Sequence, residues 1–155
     1  MSANLGASRD ALRKAYTDAW RKHRERMPLS PQEAGIADVV GLHPEYHVLI
    51  EDPVAALGFE PGAGSGEQNP FLHLGLHLAI RDQVSIDRPP GIRELHRELA
   101  ARYGGVHEAE HVLMESLAEV LWQAQRDGRA PDEQRYLALA RQRLGDPVRV
   151  SPRDR

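Results

Sequence analysis

The sequence predicts an all-α protein, a bundle of four core helices with one or two short helices added, and three observations carry that reading. Apolar residues recur at spacings of three and four in nearly every segment. Glycine and proline interrupt the pattern at roughly helix-length intervals. Runs that alternate apolar and polar residues, the mark of a half-buried strand, are almost absent.

The elements follow in order. A first helix spans about 8–27, with Leu12, Tyr16, Trp20, His23 and Met27 on one stripe. Ser30, Pro31 and Glu33 form a capping-box start with proline in the first turn. The helix they open reaches about 52, with Ile36, Val40, His43, His47, Ile50 and Val54 in line; Pro44 should kink it or split it after Leu42. Residues 53–68, with Gly58, Pro61, Gly62, Gly64 and Gly66, read as a flexible connector. No Gly-Lys-Ser/Thr follows those glycines, so they are not a phosphate loop. Asn69-Pro70 starts a helix to Ile86, apolar all round in its first half and expected to be central; Arg88-Pro89-Pro90-Gly91 stops it. A short helix over 91–103 ends at Gly104-Gly105, a longer one over 106–126 ends before Gly128, and Pro131 opens the last, over 131–144. Residues 1–145 are expected to form a single domain and 146–155 a flexible tail.

Composition narrows the function. A net charge of -3 and a pI near 6.2 give no general attraction to nucleic acid or to an anionic membrane. No apolar run approaches the ~18 residues of a membrane span, and no basic leader opens the chain, so a cytoplasmic protein is expected. The absence of cysteine removes disulfides, thiolate metal sites and a cysteine nucleophile. A bound metal ion must be held by nitrogen and oxygen.

The histidines carry the sharpest signal. His43 with His47, His73 with His77, and His107 with His111 are each four apart, where chance gives roughly 0.4 such pairs. On a helix, residues four apart share a face and can aim two imidazoles at one point. His43 and His47 line up with Ile36, Val40 and Ile50, His73 and His77 with Ile80 and Val84, and His107 and His111 with Met114, Ala118 and Leu121, so all three pairs should face inward. Glu51 and Glu115 each follow a paired histidine, His47 and His111, by four and can add oxygen ligands. The candidate metal ligands are therefore His47, Glu51, His73, His77, His107, His111 and Glu115, with His23 and His43 as additional candidates. His96 is unassigned. The competing reading makes the histidines structural in a non-enzymatic interaction protein, bonded to carboxylates such as Glu45, Glu51 and Glu110.

The order His23, His47/Glu51, His73/His77, His111/Glu115 resembles the hemerythrin family. That resemblance implies a four-helix bundle, non-haem iron as one or two ions, Glu51 and Glu115 as bridges, and dioxygen or another small oxidant as the ligand. A mononuclear three-histidine site with zinc or another ion is the alternative. Departures from the pattern are the extra His43 and His107 and the helix before the last ligand helix. In wording rather than order, Asn69-Pro70-Phe71-Leu72-His73-Leu74-Gly75-Leu76-His77, then Asp87-Arg88-Pro89-Pro90-Gly91, resembles the bacterial family called domain of unknown function 1841, over about 5–144.

His107-Glu108-Ala109-Glu110-His111 also fits the zinc-peptidase pattern H-E-x-x-H, with Glu133 as a conceivable third ligand. Against a zinc hydrolase stands the lack of a strand on which to lay a peptide. The sequence reading is thus a metal-binding helical protein, iron first and zinc or manganese next, serving gas or oxidant binding, sensing or redox chemistry.

Overall fold

The computed structural model describes residues 3–61 and 69–145, with side chains from residue 8. Among them are eight α-helices, one short 3-10 turn and no strand: α1 (Ala3–Arg24), α2 (Pro31–Gly41), the turn Pro44–Tyr46, α3 (His47–Ile50), α4 (Pro53–Gly58), α5 (Pro70–Ile86), α6 (Ile92–Tyr103), α7 (Val106–Asp127) and α8 (Glu133–Gln142). The all-α expectation holds. No described helix is long and apolar enough to cross a membrane. Contacts divide the chain into two compact units, Met1–Leu78 and Ala79–Arg155, with the boundary inside α5.

In the first unit the core joins Tyr16, Ala19 and Trp20 of α1, Ile36, Val39 and Val40 of α2, Ile50, Ala56, and Phe71 and Leu74 of α5. The buried face of α1 keeps Tyr16 and Trp20 of the predicted stripe but not Leu12, His23 or Met27. Leu12 and Met27 are exposed, whereas Arg13 and Thr17 are buried beside Tyr16 and Trp20. A guanidinium can be buried there because it is satisfied. Arg13 Nη1 donates to the carbonyls of Ala56, Leu57 and Phe59 at 3.1, 3.2 and 2.7 Å, closing the end of α4, and the charge lies 4.7 Å from the Phe71 ring.

The predicted capping box is present at Ser30 and Glu33. A salt bridge from Lys22 and the Ser30 N–H together hold the Glu33 carboxyl down at about 2. The predicted helix over 31–52 breaks after Leu42, the C-cap of α2, where Pro44 has no N–H to continue the ladder. Val54, drawn on the same stripe as Ile36 and Val40, is exposed, because after the break the residues no longer share a face. The connector expected over 53–68 begins instead as α4, capped by Asp52, whose side chain accepts from the Val54 and Ala55 N–H groups; residues 62–68 lie outside those described.

In the second unit α6 packs on α7 and α7 on α8. The buried residues include Ile80, Ile92, Leu95 and Leu99, a stripe of α7 through Leu113, Leu117 and Val120, and Tyr136, Leu137 and Ala140 of α8. Gly104 and Gly128 end α6 and α7 in the left-handed region at φ 93° and 62°, as their predicted stop positions require. α8 starts later than Pro131 suggested, at an Asp132 cap accepting from the Arg135 N–H. The predicted tail, 146–155, lies outside the described residues.

Candidate metal centre

Helix α5 begins where Asn69 caps the Phe71 N–H at 3.0 Å, and it carries His73 and His77 one turn apart. His77 is fully buried and His73 half-buried. Between them and α2 stands His43. As the residue before proline it leaves the helical region, with φ -125° and ψ 70°, and that departure lets the ring turn into the unit rather than out of it. The split at Pro44 thus separates His43 from His47: the two no longer share a helical face.

His43 Nδ1 lies 2.9 Å from the Val39 carbonyl oxygen, so it carries the hydrogen and donates it. Its Nε2 is then the acceptor nitrogen of the ring. That nitrogen lies 3.0 Å from His73 Nε2, which in turn lies 3.3 Å from His77 Nε2. Tyr46 stacks on the His43 ring at 5.5 Å and meets His73 edge-on at 5.8 Å. Three Nε2 atoms from α5 and the α2–α3 junction therefore meet at one place.

The other predicted groups of the first unit gather around Trp20. His47 packs on its indole at 4.5 Å, and His47 Nε2 donates to the Val40 carbonyl at 2.8 Å. His23 is exposed and stacks on the same indole at 5.2 Å. Glu51 accepts from Trp20 Nε1 at 3.2 Å and lies 3.7 Å from Arg24. Each of these has a partner other than the three Nε2 atoms.

In the second unit α7 holds His107 and His111 one turn apart, with ring centroids 4.3 Å apart and both residues half-buried. Glu115 is exposed and paired with Arg143. Glu108 is exposed, at the solvent face of the first turn, and Glu133 is exposed at the start of α8. Glu110 is the buried carboxylate, 2% exposed, and accepts from Arg81 Nε at 3.0 Å. The sequence reading names Glu110 only as one carboxylate to which structural histidines could bond. The available signal was its alignment with Leu113, Met114 and Leu117 on one face of α7. Burial holds the His96 imidazole below its ordinary pKa, against the opposing pull of the Glu110 charge.

The family model described as a domain of unknown function, DUF1841, matches residues 8–142. No curated protein and no solved structure matches the chain.

Proposed function

Since the chain belongs to the DUF1841 family, whose description assigns no activity, we propose from the site itself that it binds a single transition-metal ion through imidazole nitrogen, zinc before iron. The spacing of the three Nε2 atoms carries this reading. Two nitrogens bound to one ion at about 2.0–2.1 Å stand about 2.9 Å apart at a right angle and about 3.4 Å apart at the tetrahedral angle. The distances here are 3.0 and 3.3 Å. One cation can take a lone pair from each of three nitrogens at such spacings.

The donor chemistry favours zinc, nickel or copper over a bridged iron pair. The two carboxylates that the hemerythrin likeness would make bridges are engaged elsewhere, Glu51 with Trp20 and Arg24, Glu115 with Arg143. What remains is imidazole alone, which suits borderline ions; manganese prefers oxygen. The Val39 carbonyl acts as the outer partner that fixes the tautomer of His43, as ligating histidines require. Dioxygen or oxidant binding, sensing and redox chemistry go with the iron alternative. The zinc-hydrolase alternative loses support because Glu108 is exposed and no strand is present among the described residues.

The reading of structural histidines in an interaction protein has one observation in its favour: His43 and His47 both bond to backbone carbonyls. Elemental analysis of protein without an affinity tag decides between them. Near one equivalent of metal, lost in His77→Ala, supports the metal site. Metal-free protein that takes up none of zinc, nickel, copper or iron leaves the structural reading. Iron with near-ultraviolet charge-transfer absorption would restore the oxidant-binding alternative.

A further inference from the structure

We propose that Tyr46 is a positioning residue of the three-imidazole site, the flat surface that holds His43 and His73 in the orientations in which their nitrogens meet; the inference rests on the metal reading above. Tyr46 and the three histidines all belong to the unit Met1–Leu78. The local chain explains why this side chain is there. Tyr46 ends the 3-10 turn Pro44–Tyr46, and its N–H donates to the His43 carbonyl at 3.0 Å. Such a turn completes one revolution in three residues, so side chains three apart eclipse. The Tyr46 ring therefore comes to lie over that of His43, with centroids 5.5 Å apart and planes 8° from parallel, an offset stack. The same ring meets His73 of α5 edge-on at 5.8 Å and 72°. Tyr46 is itself held, half-buried and packed against the core of the unit.

Ring orientation decides whether these imidazoles can share an ion. The lone pair of Nε2 lies in the plane of its ring, so a turn about the bond that carries the ring swings the nitrogen away from its neighbours. The three rings cross one another steeply, at 75°, 58° and 68°, with centroids 4.8, 4.8 and 4.9 Å apart. His43 is fixed at two points, by Nδ1 donating to the Val39 carbonyl and by its face against Tyr46. His77 is fixed by complete burial. His73 is only half-buried, beside the exposed Leu72, and the edge contact with Tyr46 limits how far it can turn. Ligands held in place before the ion arrives lose less rotamer freedom when it binds. Both contacts of Tyr46 are made by its ring, so the phenol hydroxyl is dispensable for this role.

The test is zinc affinity, measured on untagged protein by competition with a chromogenic chelator. Tyr46→Phe keeps the ring and should bind zinc as tightly as wild type. Tyr46→Leu fills the space without a flat face and should bind about 10–100-fold more weakly, the usual cost of removing a side chain that orients a ligating histidine. Cobalt(II) in place of zinc gives a second readout: its visible spectrum should be the same in wild type and Tyr46→Phe and altered in Tyr46→Leu, because the nitrogens no longer hold one geometry. Circular dichroism and thermal melts of the metal-free proteins establish that both variants are folded. Zinc bound by a folded Tyr46→Leu as tightly as by wild type would reduce Tyr46 to core packing and overturn the proposal. Equal weakening in Tyr46→Phe and Tyr46→Leu would overturn it too, since the hydroxyl and not the ring would then be what the site needs. If wild type itself binds no zinc, nickel, copper or iron, it is the metal reading that fails, and the positioning role goes with it.

Discussion

Replacing His77 by alanine separates the cost of losing a core side chain from the cost of losing a ligand. His77 is completely buried, so the substitution leaves a cavity whether or not metal is present. By analogy with large-to-small changes in cores, that part is about 2–3 kcal/mol. The second part depends on metal. An ion that binds the native but not the unfolded chain stabilises it by RT ln(1 + [L]/Kd), about 4 kcal/mol at a thousandfold excess over Kd. His77 supplies a nitrogen 3.3 Å from that of His73, so its loss should remove most of this term. For a chain of this size 1 kcal/mol corresponds to about 2–4 °C in Tm. Wild type should therefore melt about 8–16 °C higher with zinc than with chelator, and His77→Ala should shift little between the two. The assay is a set of four thermal melts, each protein with zinc and with chelator, at one protein concentration. Equal metal-induced shifts in wild type and variant would refute the reasoning, since His77 would then cost only its cavity. Coincident wild-type curves, with and without zinc, would refute the metal term altogether.

Glu51→Gln and Glu115→Gln should each keep about one equivalent of zinc by elemental analysis, because these carboxylates are held by Trp20, Arg24 and Arg143; loss of metal in either would return oxygen ligands to the site. Arg13→Ala should cost about 3 kcal/mol in urea unfolding, since it removes the donor to three carbonyls and a cation over Phe71; a loss below about 1 kcal/mol would contradict the account of α4. Because burial lowers the His96 pKa from 6.5, the folded chain binds fewer protons there than the unfolded one. Its contribution to stability is then full above the unfolded value and declines as pH falls through the folded one; His96→Gln should flatten that part of a pH series of metal-free melts, and an unchanged slope would place the dependence elsewhere. Ser30→Ala should cost about 1 kcal/mol in the same urea assay by removing the acceptor for the Glu33 N–H.

Local chemistry was legible wherever neighbours in sequence suffice to decide it. The capping box at Ser30, the start of α5 at Asn69-Pro70, the break before Pro44 and the glycine ends of α6 and α7 each follow from one or two residues and backbone sterics. The same holds for His73 with His77 and for His107 with His111, which a regular helix must bring together. The predicted stripe of α1 holds for Tyr16 and Trp20 but misses Arg13, because periodicity assumes that charged residues face water. Arg13 does not, since the carbonyl end of α4, more than forty residues away in sequence, supplies its acceptors.

Partnership across long sequence separations is what only the tertiary structure decided. From sequence, His47 and Glu51 are as good a ligand pair as any, but the Trp20 indole and the Val40 carbonyl reach them first. His43 stands at the predicted break before Pro44, and the non-helical backbone that proline imposes is what turns its ring toward His73. Glu110, offered from sequence only as a partner for histidines, is buried with Arg81 donating to it. By itself the sequence determined the helices and the supply of imidazoles, since both depend on short-range geometry. Which imidazoles converge depends on how helices distant in sequence pack, and on which polar groups find a nearer partner than one another.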